Sequence, residues 1–364
     1  MQLDPSRARY HSDLALALSD IGRLDDAIAC ARVAVAIDPA ARDLRRNLGM
    51  LLLLKGQYQE GWEEYDHASE AWCANAALPK VDAALWQGEP LAGKSILVRA
   101  EQGLGDILQF ARYVPVLADM KAMVTFAVPP KLVAILQEIS KSAVVAPKAQ
   151  CCGHFDFQCA LLSLPRRLGS DPSNIPGRVP YLSADASCVT HWRHSIGVHG
   201  FKIGICWRGN PSYHGDRARS IALREFAPLA QNPQVRLISL QKRPGDAQIS
   251  EVAFGRSIET LGENFDEDAG AFVDSAAVMM CLDLVVTSDT AIAHLAGALA
   301  RPLCIALRRV PDWRWRMERE DCPYYPTARL FRQEREGDWA DVFARIAALV
   351  RSATKTAGPT AAPV

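Results

Sequence analysis

From Lys94 onward, short apolar runs of strand length alternate with segments of helical period, and this alternation constrains the fold more than any other feature. Strand-like runs lie at 95–98, 123–128, 143–146, 202–207, 235–240, 284–287 and 303–307. Helical patterns lie around 106–119, 130–140, 223–231, 271–281, 290–300 and 338–351. Such alternation predicts an α/β fold whose parallel sheets are covered by helices. A polar stretch at 183–201 separates the two groups, so we expect two Rossmann-like domains facing a cleft.

The first 75 residues repeat at an offset of 34, so that Gly22 and Ala34 are followed by Gly56 and Ala68. Small residues at these places let paired helices pack closely, and the period resembles the tetratricopeptide repeat. We expect two full repeats and the end of a third within residues 1–75. Two repeats need a neighbour to lean on, which predicts a helical layer docked on the next domain. Its role as a partner groove or as a structural buttress stays open.

The start of the chain raises a separate expectation. Met1 lies two residues before Leu3-Asp4-Pro5, which corresponds to Ile37-Asp38-Pro39 at the end of the next repeat. We therefore expect that the native product begins upstream or that the array is a remnant.

Composition excludes several classes of protein. The chain has 364 residues, 49% of them hydrophobic, and Lys plus Arg equals Asp plus Glu at 41 each. This balance gives no general attraction to nucleic acid. No apolar run approaches the length of a transmembrane segment. The ten cysteines contain no CxxC pair, and the Cys151, Cys152, His154 and Cys159 cluster is a poor tetrahedral start, so we expect a cytoplasmic protein without a metal site.

The first candidate site is the turn Gly103-Leu104-Gly105-Asp106. It follows the strand-like run at 95–98 and opens a helical pattern, so its free N–H groups suit a phosphate or sugar oxygen. A dinucleotide fingerprint needs a third glycine where Leu108 stands. No Lys followed by Ser or Thr supports a P-loop either.

A second strand, turn and helix lie at Asp283–Pro302. Thr287, Ser288, Asp289 and Thr290 occupy this turn, and hydroxyl and N–H groups at a helix start bind pyrophosphate without a metal. A third turn after the run at 202–207 carries further candidate donors, namely Arg208, Arg217, Arg219 and Ser220. The carboxyl ends of parallel strands share one edge, so these turns should meet.

Several segments resemble the motifs of bacterial tetratricopeptide-repeat glycosyltransferases. They are EQGLGDILQFARY, CWRGNP, RARS, SLQ, SDTAIAHLAGALARP and WRW. The family is related to the ADP-heptose lipopolysaccharide heptosyltransferases and, more distantly, to the O-linked N-acetylglucosamine transferases. The likeness covers about residues 8 to 350. It implies the GT-B fold, a nucleotide sugar held by the C-terminal domain, and catalysis without a bound metal or other cofactor.

The resemblance implies two catalytic residues. Asp106 matches the acidic residue proposed as general base, although Asp is also a preferred residue at a helix start. His294 matches a residue that contacts the nucleotide or donor sugar. The alternative for His294 is a core histidine with a satisfied ring.

The resemblance also implies a donor-binding set. Arg217 and Arg219 are expected to neutralise the leaving diphosphate, as planar guanidinium groups can. Trp207 and Asn210 should shape their loop, and Gln241 should contact the base or simply end its strand. Trp313 and Trp315 either stack on a base or sugar or pack against the C-terminal helix.

The resemblance divides the chain into five parts. They are tetratricopeptide repeats at 1–75, a linker at 76–93, an acceptor-side Rossmann-like domain at 94–190, a nucleotide-sugar-binding Rossmann-like domain at 201–351, and a disordered tail at 352–364. The expected function is metal-independent inverting transfer of a sugar from a nucleotide sugar to a protein or glycan acceptor. The alternative is a non-catalytic scaffold that binds a protein partner through its repeats.

Overall fold

The computed structural model describes residues 7–73, 80–176, 178–211, 216–242, 247–267 and 270–356. The chain divides into two units. Unit 1 comprises Met1–Gly177 and Val310–Arg319, and unit 2 comprises Arg178–Arg309 and Glu320–Val364. A short piece of chain between two parts of unit 2 therefore belongs to unit 1.

Unit 1 begins with a helical segment of four helices. They are α1 (Ala8–Asp20), α2 (Leu24–Ile37), α3 (Arg42–Lys55) and α4 (Tyr58–Cys73). Helix α3 begins 34 residues after α1, and α4 begins 34 residues after α2, so the sequence period is a structural period. Gly49 lies where a side chain would meet backbone of α4 at 2.7 Å, which explains a small residue at this helix crossing.

Helix α4 is bound firmly within unit 1. Asp66 is 1% exposed and pairs with Arg166 at 2.8 Å and Arg167 at 2.6 Å. The Trp62 indole N–H donates to the Ser170 carbonyl at 3.1 Å. These contacts confirm the expected docking of the helical layer.

The sheet of unit 1 has five parallel strands in the order β1-β5-β2-β3-β4. They are β1 (Val81–Leu85), β2 (Ser95–Arg99), β3 (Met123–Val128), β4 (Ala143–Pro147) and β5 (Gly153–Ala160). The helices that follow the strands are α5 (Leu104–Phe110), α6 (Tyr113–Asp119), α7 (Val133–Leu136) and α8 (Leu164–Arg167). The central strand β2 is buried from Ile96 to Arg99 and delivers its carboxyl end to the turn before α5.

The sheet of unit 2 has six parallel strands in the order β11-β10-β9-β6-β7-β8. They are β6 (Phe201–Cys206), β7 (Val235–Ser239), β8 (Ile258–Glu259), β9 (Leu284–Ser288), β10 (Leu303–Leu307) and β11 (Ala328–Arg332). The helices of this unit are α9 (Ala186–Ile196), α10 (Asp216–Arg219), α11 (Ala227–Ala230), α12 (Ala247–Glu251), α13 (Val273–Met279), α14 (Ala291–Ala298) and α15 (Trp339–Thr356). Short 3-10 turns lie at Pro130–Leu132, Lys148–Gln150, Leu161–Ser163, Leu223–Phe226 and Gly255–Ser257.

The core of unit 2 packs α11 and α15 against the sheet. The rings of Phe226 and Phe343 are tilted against each other with centroids 4.3 Å apart, and Trp207 lies edge-on to Phe226 with no exposed surface. Strands β9 and β10 are buried at every position, as expected for parallel strands covered on both faces.

Several sequence predictions need correction. The interval 76–93, read as a linker, contains β1, a mostly exposed edge strand that lacks an apolar run. The helix expected at 106–119 is broken into α5 and α6, because Pro115 has no N–H for an intrahelical bond. Residues 352–356 of the expected disordered tail continue α15, and 357–364 lie outside the described residues.

Where the chain is described, no helix is both long and apolar enough to cross a bilayer.

Candidate functional site

The turn after β2 places Asp106 in the first turn of α5. Its Oδ2 accepts the backbone N–H of Gly103 at 2.9 Å, which closes the start of the helix. A side chain at position 103 would meet this oxygen at 2.9 Å, so glycine makes room for the carboxylate. Gly103 therefore helps to close the start of α5, and Gly105 lies inside that helix.

A second group holds the other oxygen of Asp106. Arg314, from the segment Val310–Arg319 of unit 1, donates from Nη2 to Asp106 Oδ1. Its Nε donates to Gln109 at 2.6 Å and its Nη1 to Asp312 at 2.9 Å. Burial lowers the pKa of Arg314, but the carboxylates of Asp312 and Asp106 outweigh burial and raise it above its ordinary value. Arg314 therefore stays charged, and Asp106 is one half of a largely buried ion pair.

The two tryptophans near Arg314 are structural. Trp313 is 3% exposed, and its ring lies 5.2 Å from Trp62 and 6.4 Å from Phe110. Trp315 is 1% exposed. The alternative that placed these rings against the C-terminal helix was wrong for Trp313, which packs on α4 and α5 instead.

In unit 2, three turns meet at the carboxyl edge of the sheet, as the parallel-sheet rule predicts. Cys206, the last residue of β6, contacts Gln241 Oε1 at 3.5 Å and Thr290 Oγ1 at 3.9 Å. Gln241 follows β7 and Thr290 follows β9. Burial raises the pKa of the Cys206 thiol, so this central group stays neutral.

Gln241 binds its own protein chain. Its Oε1 accepts the backbone N–H groups of Trp207 at 3.2 Å and Arg208 at 2.9 Å. Its Nε2 donates to the Lys242 carbonyl at 2.9 Å. The side chain thus fixes the loop after β6, and the fully buried Trp207 anchors the same loop in the core.

The loop after β6 is organised around Asp216. This carboxylate is 4% exposed and accepts Arg219 Nε at 3.3 Å and Ser220 Oγ at 2.8 Å. The Ser220 hydroxyl in turn accepts the Gly209 N–H at 3.3 Å. Asn210 is exposed at the tip, and the side chain of Arg217 lies outside the described residues. Arg219 keeps 25% of its side chain exposed, so its guanidinium is partly available.

The turn before α14 carries closely packed hydroxyl groups. Thr290 begins the helix in extended conformation, and its Oγ1 lies 3.1 Å from Thr287 Oγ1. Ser288 is fully buried, and its hydroxyl has no hydrogen-bond partner among the described residues. Asp289 follows Ser288 and is partly exposed. The turn therefore presents hydroxyl and N–H groups at a helix start, which suit an anion, next to the Asp289 carboxylate.

His294 is deeply buried one turn further along α14. It is 5% exposed, and its Nδ1 lies 2.9 Å from the hydroxyl of Tyr325. Tyr325 packs over Gly297, where any side chain would meet the ring at 2.3 Å. The contact with Tyr325 engages Nδ1 and ties α14 to the residues before β11.

Sequence reasoning missed the roles of Arg314, Asp216 and Tyr325. Asp216 directly precedes the RARS motif, and this acidic residue was a usable signal. Arg314 lies inside the WRW motif, but it and Tyr325 act on residues far away in sequence, so no local pattern shows their partners. Among the residues described, Cys151, Cys152, His154 and Cys159 do not form a group that could hold a metal ion.

Comparison with known proteins places this geometry in context. No protein-family model matches the chain. Protein FlbA of Caulobacter vibrioides is 26% identical over 380 residues, which is 96% of this chain and 62% of FlbA. The chain thus spans less than two thirds of the length of this curated relative.

Two solved structures are similar over more than two thirds of the chain. The ADP-heptose LPS heptosyltransferase II of E. coli matches with a TM-score of 0.52 and 13% identity, over 71% of this chain and 98% of that one. The family 9 glycosyl transferase of Veillonella parvula matches with a TM-score of 0.51 and 12% identity, over 74% and 99%. The chain has a mixed α/β fold with parallel sheets that it shares with glycosyltransferases of the heptosyltransferase type.

Proposed function

We propose that the chain is a glycosyltransferase that moves a sugar from a nucleotide sugar to a protein or glycan acceptor. The observation that supports it most is the start of α14, where Ser288 ends the buried parallel strand β9 and Thr290 begins the helix, in a fold shared with heptosyltransferases. Neutral hydroxyl and N–H donors at such a position suit a diphosphate. Donor binding in this proposal needs no metal or other cofactor.

The proposed donor set lies in unit 2. Thr290 and the first N–H groups of α14 bind the diphosphate, with Ser288 and Asp289 completing the turn. Arg219 and Arg217 neutralise the charge that develops on the leaving nucleoside diphosphate. Asn210 and Ser220 shape the loop after β6, and Gln241 and Trp207 fix it. His294 supports α14.

The proposed general base is Asp106 in unit 1. Its carboxylate takes the proton of the acceptor hydroxyl while the acceptor oxygen attacks the anomeric carbon. The bond from that carbon to the diphosphate breaks, and the nucleoside diphosphate leaves with the electron pair. Attack opposite the leaving group inverts the anomeric centre.

The helical segment is assigned to the tetratricopeptide type by its 34-residue period. We place the protein in the cytoplasm on the basis of its scattered cysteines. A second candidate function, a scaffold for a protein partner, is favoured by apolar side chains exposed on α1 and α2. Leu14, Val33 and Ile37 are 44%, 43% and 41% exposed.

Calorimetry with ADP, UDP and GDP, with and without Mg²⁺, tests the donor site. We expect micromolar binding of one nucleotide, unchanged by EDTA. Arg219→Ala and Thr290→Val should each weaken it about tenfold, because each removes one donor to the diphosphate. The matched controls are Arg224→Ala, on a residue 79% exposed, and Thr190→Ala, on an exposed face of α9.

Turnover is then measured as release of nucleoside diphosphate from ADP-heptose, UDP-N-acetylglucosamine and GDP-mannose. Asp106→Asn should lower the rate by about 10²- to 10⁴-fold without changing nucleotide affinity. If none of the three nucleotides binds at millimolar concentration, the transferase proposal fails and the scaffold becomes the better function.

A further inference from the structure

We propose that helix α4 of the helical segment positions Asp106, through Tyr65 on one route and through Trp313 and Arg314 on another. The proposal rests on the assignment of Asp106 as general base under Proposed function. It makes Tyr65 and Arg314 positioning residues and gives the helical segment a direct role in catalysis.

The first route acts on the backbone before the turn. Gln102 has φ of 61°, a left-handed conformation that costs a non-glycine residue energy and must be held by its surroundings. Its Nε2 donates to the Tyr65 hydroxyl at 2.8 Å. Tyr65 is 2% exposed on α4. A buried side chain of the helical segment therefore fixes the residue next to Gly103.

The second route begins in an aromatic cluster formed by Trp62, Tyr65, Phe110 and Trp313. Trp313 lies edge-on to Trp62 at 5.2 Å and to Tyr65 at 6.5 Å between ring centroids. Phe110 lies 6.1 Å from Trp62 and belongs to α5, the helix that carries Asp106. The cluster thus joins α4, α5 and the segment Val310–Arg319 inside unit 1.

Arg314 converts this packing into a contact with Asp106. Its guanidinium lies 4.3 Å from the Trp313 ring centroid and 5.8 Å from that of Phe110. A planar guanidinium held on two rings points its donors in fixed directions. They reach Asp106, Gln109 and Asp312, so the carboxylate has one oxygen on Arg314 and the other on Gly103.

Arg314 serves two carboxylates at once. It forms ion pairs with Asp106 and with Asp312, and its own side chain is 8% exposed. Removing the guanidinium therefore leaves both partly buried carboxylates without this partner and frees Asp106 Oδ1 from the contact that directs it.

The test compares two pairs of variants in the full chain. Arg314→Met is matched by Arg316→Met, because Arg316 lies in the same segment and stacks on α4 at Tyr58, 5.8 Å from its ring centroid. Tyr65→Phe is matched by Tyr58→Phe on the same helix. Arg314→Lys keeps the charge and serves if Arg314→Met does not fold.

Hydrogen exchange measured by mass spectrometry reports on the turn without any assumption about activity. We expect Arg314→Met to speed exchange of the amides at 103–107 about tenfold and Tyr65→Phe about fivefold, since each removes one restraint on the turn. Arg316→Met and Tyr58→Phe should match the wild type. Equal exchange in all variants, or equal loosening in both members of a pair, overturns the proposal.

Turnover of the accepted nucleotide sugar provides the second readout. We expect kcat to fall about 10- to 100-fold in Arg314→Met while the donor KM stays within about twofold. Arg314→Lys, which keeps a charged donor, should restore kcat in part, whereas Arg316→Met should leave it unchanged. An equal loss of kcat in Arg316→Met, or a donor KM that changes as much as kcat, makes Arg314 merely structural and overturns its assignment.

The two proposals fail in different ways. If the wild type turns over no donor but exchange at 103–107 responds only to Arg314 and Tyr65, α4 positions the turn and the transferase assignment is wrong. If the wild type is active and neither readout separates the variants from their controls, the transferase assignment stands and the positioning role is wrong.

Discussion

The turns after β2 and β9 each connect a strand to a helix, yet the side chains that line them differ in chemistry. The first holds a carboxylate, Asp106, whose two oxygens are bonded by Gly103 and Arg314. The second holds hydroxyl groups, of which Thr287 and Thr290 bond each other and Ser288 has no hydrogen-bond partner among the described residues.

The difference shows that the same strand-turn-helix arrangement can serve two electrostatic purposes. A helix start stabilises negative charge. In unit 1 the Asp106 carboxylate supplies this negative charge, and the Arg314 cation pairs with it. In unit 2 the first turn of α14 carries no acidic residue, although Asp289 directly precedes Thr290, so a bound anion can supply the negative charge that this helix start favours.

The largest expected effect comes from removing the frame of the first turn. Trp313→Ala should lower the free energy of unfolding of unit 1 by about 3–5 kcal/mol, because it removes a buried indole packed against Trp62 and Phe110. Urea denaturation followed by tryptophan fluorescence measures the change, and Trp313→Phe should recover about half of it. Nucleotide affinity should stay within about twofold, and a parallel loss of affinity would show that the two turns are not independent.

The second turn can be disrupted by a change in the packing of helix α14. Gly297→Ala places a methyl group 2.3 Å from the buried Tyr325 ring, whose hydroxyl bonds His294. We expect a loss of about 1–3 kcal/mol and weaker nucleotide binding, with unchanged exchange at 103–107. Adding Tyr325→Leu to Gly297→Ala should restore part of the stability in thermal melts. A further loss in the double variant would contradict the clash as its cause.

These two turns also show what a sequence reveals. Buried strands are legible because they are continuous apolar runs, and β3 and β10 have the predicted bounds. The edge strand β1 carries no such run and was missed. Strand β5 contains His, Asp and Gln residues and was missed for the same reason.

The candidate site divides in the same way. Turns at strand ends can be placed because parallel strands share an edge, so the meeting of the carboxyl ends of β6 and β9, seen in the contact of Cys206 with Thr290, was expected. The partner of Asp106 could not be placed, since Arg314 is 208 residues away and only tertiary packing brings it near. Nor does a sequence show that the Gln241 amide binds the backbone of the loop after β6.

A smaller effect separates the hydroxyl groups of the second turn. Thr290→Val should cost about 1 kcal/mol because it breaks the bond to Thr287. Ser288→Ala should change stability by less than about 0.5 kcal/mol, because its buried hydroxyl has no partner among the described residues. Both should weaken nucleotide binding, Thr290→Val more. A cost above about 1 kcal/mol for Ser288→Ala would mean that the hydroxyl is already satisfied, and the contrast with Asp106 would lose its basis.

The smallest effect concerns the strand that delivers the first turn. Asp156 on β5 accepts the N–H and hydroxyl of Ser95, the first residue of β2, at 2.8 and 2.9 Å and pairs with Lys94 at 3.0 Å. The Ser95 backbone bond, followed by the Lys94 and Ser95 side chains, lowers the pKa of Asp156 to about 2, from 3.8. Because the folded pKa is depressed, the stabilisation by the ionised Asp156 is present above about pH 4 and is lost as pH falls towards 2.

Asp156→Asn should therefore remove part of the acid sensitivity of unit 1 in melts between pH 5 and 2. Asp119 is an exposed residue on α6, and Asp119→Asn should follow the wild type. If the Asp156→Asn curve instead parallels the wild type down to about pH 2, the charge does not anchor β2, and the first turn depends on packing alone.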